Sequence, residues 1–96
     1  MKEKNWIIGV CCSDGNGVHL EFKKGTELQI KKYLVRLVKE DRKNNPDEFD
    51  IDQSTTSVEE IRVEDNALLG YALFSDYHID YTAMQESDLI RAALSV

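Results

Sequence analysis

Residues 27–43 read ELQIKKYLVRLVKEDRK, and this stretch decides the fold. Ile30, Tyr33, Leu34, Leu37 and Val38 recur at i, i+3, i+4, i+7 and i+8, the spacing that gathers side chains along one side of an α-helix. At about 100° per residue, Lys32, Arg36, Lys39 and Lys43 collect on the opposite side. The helix therefore has an apolar face to bury and a basic face to present. Gly25-Thr26 breaks the preceding segment and offers an N-cap, and Glu27 sits near the positive helix end. Asn44-Asn45-Pro46 ends it, because proline disfavours helical backbone in the residue before it.

Upstream, Trp6, Ile8, Val10 and Cys12 alternate with Ile7, Gly9, Cys11 and Ser13. Val18, Leu20 and Phe22 alternate with His19, Glu21 and Lys23. The Asp14-Gly15-Asn16-Gly17 cluster between these runs predicts a β-hairpin. Ile8, Val10, Leu20 and Phe22 are then expected beneath Ile30, Leu34, Leu37 and Val38. Downstream, residues 46–57 read as a loop that Phe49 and Ile51 pin to the core, and Ser57 with Glu60 fits a capping box, so that a single helical turn before the third strand is an alternative. Ile61 and Val63 predict a short strand and Glu64-Asp65-Asn66 a turn. Residues 67–74 predict a strand apolar on both faces and hence central. Residues 78–81 either extend that strand or form a short fifth. Glu86-Ser87-Asp88 opens a short helix bearing Leu89, Ile90, Ala93 and Leu94. The expected architecture is α+β: an antiparallel sheet of four strands, or five, with the main helix packed on one face. The order is β-β-α-β-β-α, ending in a short C-terminal helix.

At 96 residues the chain predicts one domain over positions 1–96. Apolar residues at 42% and charged residues at 31% exclude a disordered chain. Adjacent Cys11 and Cys12 should point to opposite faces of a strand, so a disulfide framework is not expected, and reduced thiols imply a cytoplasmic protein. Lys2 and Lys4 before residues 6–10 faintly imitate a secretion signal, but the apolar stretch is too short. The run at 67–74 is far below the ~20 residues of a membrane span, so no membrane association is expected.

Charge is distributed unevenly. Residues 1–43 hold ten Lys/Arg against six Asp/Glu, and residues 44–96 hold two against twelve, giving the net −6. The basic helix face reads either as a solvated surface or as a docking surface for an acidic partner. The acidic total, and the lack of aromatic residues interleaved with basic ones, argue against direct nucleic-acid binding. Asp47, Glu48, Asp50, Asp52, Glu59, Glu60, Glu64 and Asp65 admit an alternative, a phosphate mimic that occupies a nucleic-acid-binding protein, provided they line one face evenly. Two segments resemble calcium loops, but Cys12, Lys23, Thr55 and Ile61 fall where ligands or the glycine are needed.

Asp76, His78 and Asp80 share one face of an extended strand, where two carboxylates would stabilise an imidazolium for proton transfer or metal binding. His19 and Glu21 join them only if their strands are neighbours. No His-x-x-x-His or Cys-x-x-Cys completes a zinc ligand set, so no metal or other cofactor is expected. Neither cysteine has a local base or an oxyanion turn, and no glycine loop cradles a phosphate, so the chain is not expected to be an enzyme. The leading expectation is a small protein-binding or self-associating module. It would act through an edge strand at residues 6–13 or 61–65, or through the face around Lys32, Arg36, Lys39 and Lys43 with Leu28 and Val35 exposed beside it.

Overall fold

A computed structural model of the chain describes residues 2–15 and 18–88, and its helix begins where the capping residues require. Its elements are β1 (Lys4–Cys12), β2 (Val18–Gly25), α1 (Glu27–Asn44), a 3-10 turn (Val58–Glu60), β3 (Arg62–Glu64), β4 (Ala67–Leu73) and β5 (His78–Gln85). Thr26 caps α1 with its hydroxyl, which accepts from the Gln29 N–H at 3.2 Å, while the Gln29 side chain accepts from the Thr26 N–H at 2.8 Å. This reciprocal box satisfies two orphan donors of the first turn.

The strands form one antiparallel sheet in the order β2-β1-β5-β4-β3. Ile30, Leu34, Val35 and Val38 of α1 pack with Trp6, Ile8, Leu68, Ala72, Ile79, Tyr81 and Ala83 of the sheet. Leu37 and Tyr33 are only half-buried beside this core. Residues 78–81 belong to a strand of eight residues, longer than the sequence suggested, bonded to both β1 and β4. The first run, residues 6–13, therefore lies in the sheet interior and is not an edge as expected. The edges are β3 and β2.

A second correction concerns the phase of β2. The register sets Trp6 opposite Lys23, Ile8 opposite Glu21 and Val10 opposite His19. Residues directly opposite share a sheet face, so the apolar set of β1 lies beside the polar set of β2. Leu20 and Phe22 consequently point away from α1 and stay 67% and 75% exposed rather than buried beneath it. Glu21 and Lys23 occupy the helix side, where Tyr33 donates to Glu21 at 2.6 Å and the Lys23 ammonium stands 4.4 Å from the centre of the Tyr33 ring.

The loop after α1 is pinned differently from the expectation. Phe49 packs edge-on to Phe74 with ring centroids 5.5 Å apart, whereas Ile51 is exposed. Stronger ties come from Ser54 and Thr55, both buried. The Ser57–Glu60 box takes another form: Glu60 accepts from the Thr56 N–H, the Thr56 hydroxyl and the Ser57 hydroxyl. These bonds hold its carboxyl below the usual range, the Thr56 hydroxyl contributing most. Residues 86–88 turn into a helix after β5. Leu89, Ile90, Ala93 and Leu94, expected on that helix, lie outside the described residues.

Candidate functional site

Lys32, Arg36, Lys39 and Lys43 are all exposed on the outer face of α1. Arg36 pairs with Glu40 at 3.2 Å, one helical turn on, as on an ordinary solvated face. Lys32, Arg36 and Lys39 border a shallow groove whose apolar part is Val35 and Val58. Leu28 is 41% exposed as expected, but Val35 is 6% exposed and belongs to the core. No local pattern signals this, since the 3-10 turn Val58–Glu60, distant in sequence, packs against α1 and Val58 packs against the core there. Reversing Lys32, Arg36 and Lys39 together to Glu is expected to shift stability by no more than about 0.5 kcal/mol per site, because none of the three is buried. A thermal melt of the triple variant checks this, and a collapse of the transition would show the face to be structural.

Three carboxylates of the acidic half are engaged within the chain. Asp50 accepts from the Asp52 and Gln53 N–H groups, Glu48 from Asn45, and Glu60 from Thr56 and Ser57. These carboxylates bind groups of their own segment, residues 45–60.

The histidine cluster is only partly assembled. His78 and Asp80 approach to 3.5 Å between Nε2 and Oδ2, with the Tyr71 ring tilted 5.5 Å from the imidazole. Asp76 lies outside the strand, in the turn closed by the Phe74 N–H on the Tyr77 carbonyl, so the three residues do not share a strand face. His19 and Glu21 cannot join them: β2 does not neighbour β5, and the two residues lie on the helix side of the sheet. Among the described residues, no group of three His, Cys, Asp or Glu could hold a metal ion.

A part-buried polar pair is not signalled by the apolar patterns of strand and helix. The Tyr81 hydroxyl donates to Asp41 Oδ2 at 2.5 Å beneath α1. Burial, then the hydrogen bond to Asp41, pushes the phenol far above its ordinary range. Cys12 lies on the same side of the sheet, and burial raises its thiol too, so its thiolate, the nucleophilic form, is disfavoured. The spacing of Asp41 along α1, three residues past Val38, was the available signal.

The two sheet edges differ sharply. β3 is only three residues long, and beyond it the loop bonds directly to β4. The Thr55 N–H donates to the Tyr71 carbonyl at 2.7 Å, and the Thr55 hydroxyl accepts from the Tyr71 N–H at 3.0 Å. Ser54 accepts from the Leu73 N–H, and the Asp50 N–H donates to the Leu73 carbonyl, both at 2.9 Å. That flank of β4 is fully satisfied.

β2 has no such cover among the described residues. The Ser13 N–H bonds the His78 carbonyl, so odd residues of β1 face β5 and even ones face β2. By the same alternation, His19, Glu21 and Lys23 bond β1, and Val18, Leu20, Phe22 and Lys24 aim their backbone groups outward. Val18, Leu20 and Phe22 are 61%, 67% and 75% exposed on the face opposite α1, and Ile7 and Met84 carry the stripe inward from Phe22. Sequence alternation identified these side chains as apolar but assigned them to the wrong face. Compared with known proteins, the chain matches no family model, no curated protein and no solved structure.

Proposed function

We propose that the chain is a non-catalytic protein-association module that docks through the β2 edge. One observation carries this reading: an eight-residue strand with outward backbone groups and three large exposed apolar side chains, in a sheet whose other flank is capped. An uncapped regular edge is a template for strand addition: backbone hydrogen bonds give affinity and alternate side chains give specificity. The free thiols Cys11 and Cys12 support placing the module in a reducing, cytoplasmic setting. Affinity capture from the native host, at low and moderate salt, tests the docking reading. The wild-type chain and a Leu20→Lys, Phe22→Lys variant serve as baits. The wild type is expected to retain a polypeptide that the variant loses, with little salt dependence because the contact is apolar and backbone-mediated. Identical capture by both baits would remove the β2 edge from the function.

A further inference from the structure

The β2 strand is complementary to itself. In an antiparallel pair related by a twofold axis at Leu20, Val18 lies opposite the partner's Phe22, Leu20 opposite the partner's Leu20, and His19 opposite the partner's Glu21. All three apolar side chains then meet apolar side chains on the face opposite α1, and a base meets an acid on the helix side. The backbone agrees: Val18, Leu20 and Phe22 are the outward-facing residues, the ones that exchange N–H···O bonds in this register.

Neighbouring registers fit less well. An axis at Glu21 sets Glu21 against the partner's Glu21, and His19 against the partner's Lys23. An axis at Phe22 sets Leu20 against the partner's Lys24 and leaves Val18 beyond the end of the strand, since β2 stops at Gly25 and Thr26 already caps α1. We infer that the occupant of the β2 edge is β2 of a second copy of this chain, paired antiparallel about Leu20 to give one continuous ten-stranded sheet. This inference rests on the association reading above and adds the identity and register of the partner. In the symmetric pair every position from 18 to 22 finds a matching residue at once.

The test combines sedimentation of the full chain over a wide concentration range with residue-resolved amide exchange. The expected result is a monomer–dimer equilibrium in which the Val18, Leu20 and Phe22 amides slow as concentration rises, while those of His19, Glu21 and Lys23 are protected throughout. Leu20→Lys sets two cations against each other at the axis and should remove the dimer at the same concentration. On a Cys11→Ser background, Leu20→Cys should form an intermolecular disulfide, because the facing Cα atoms of such a pair lie about 5.5 Å apart. A mixture of Val18→Cys and Phe22→Cys chains should cross-link as well, and Phe22→Cys alone should not. A chain monomeric at every concentration would overturn self-pairing, and would leave the docking reading standing if capture still depends on Leu20 and Phe22. A dimer that survives Leu20→Lys, or one with fast outward amides, would place the contact elsewhere and overturn the inference. Outward amides protected at all dilutions would mean that the chain covers its own edge, and would overturn it equally.

Discussion

Leu34→Ala is expected to lower the unfolding free energy by about 2–5 kcal/mol, the range for truncating a fully buried leucine. Leu34 is inaccessible to solvent at the centre of the α1 contact with the sheet, so the deletion loses transfer free energy and leaves a cavity between rigid neighbours. A domain of this size is stable by only about 5–15 kcal/mol, so the variant should unfold at a visibly lower denaturant midpoint. Leu37→Ala should cost less than Leu34→Ala, because Leu37 is already half exposed. Leu20→Ala, measured at concentrations low enough for a monomer, should change stability by no more than about 0.5 kcal/mol. A loss below roughly 1 kcal/mol at Leu34 would mean that the apolar face of α1 is not the one packed against the sheet.

Tyr81→Phe is expected to cost about 1–3 kcal/mol near neutral pH, since it removes the donor to Asp41 and leaves that carboxylate short of a partner beneath the helix. Its pH dependence is more diagnostic. The folded-state phenol is raised above its ordinary value of 10.0, first by burial, then by the hydrogen bond and negative charge of Asp41. A raised pKa stabilises the fold in full below the unfolded value and ceases to do so as pH climbs through the folded value. The wild type should therefore lose stability progressively above about pH 10, and Tyr81→Phe should lose less over the same interval. Absorbance titration offers an independent check: Tyr33, pushed up to about 12 chiefly by its bond to Glu21, should ionise late, and Tyr81 only on unfolding. Equal alkaline slopes for wild type and Tyr81→Phe would exclude Tyr81 as the responsible group.

The parts of the fold legible in sequence were those set by local chemistry. The α1 periodicity, the Thr26 cap, the first hairpin and the doubly apolar β4 all appear in the structure, and residues 61–65 contain the short edge strand β3. The misplaced features depended on long-range pairing. The face that Leu20 and Phe22 occupy is set by the parity of the β1–β2 register, and a one-residue change in loop length would reverse it. The central place of β5 rests on contacts with β1, about seventy positions away in sequence, that no local pattern encodes. Its alternation was also muted, since Thr82 and Ala83 follow Tyr81. The two runs expected at sheet edges, residues 6–13 and 61–65, divide: the second contains the edge strand β3, whereas the first is interior, because strand order is not written in local sequence.

Ser54 and Thr55 determine more than the path of a loop. With the Asp50 N–H they occupy the backbone of Leu73 and Tyr71, so that among the described residues the long open side is β2, opposite the three-residue edge β3, a valence of one for a long strand. A unit of valence two can add copies head to tail without limit, which is how strand edges seed fibres. A unit of valence one stops growing after a single addition, whatever strand is added. On the docking reading proposed above, two small hydroxyl side chains remote from β2 thus restrict the addition of a long strand to one edge.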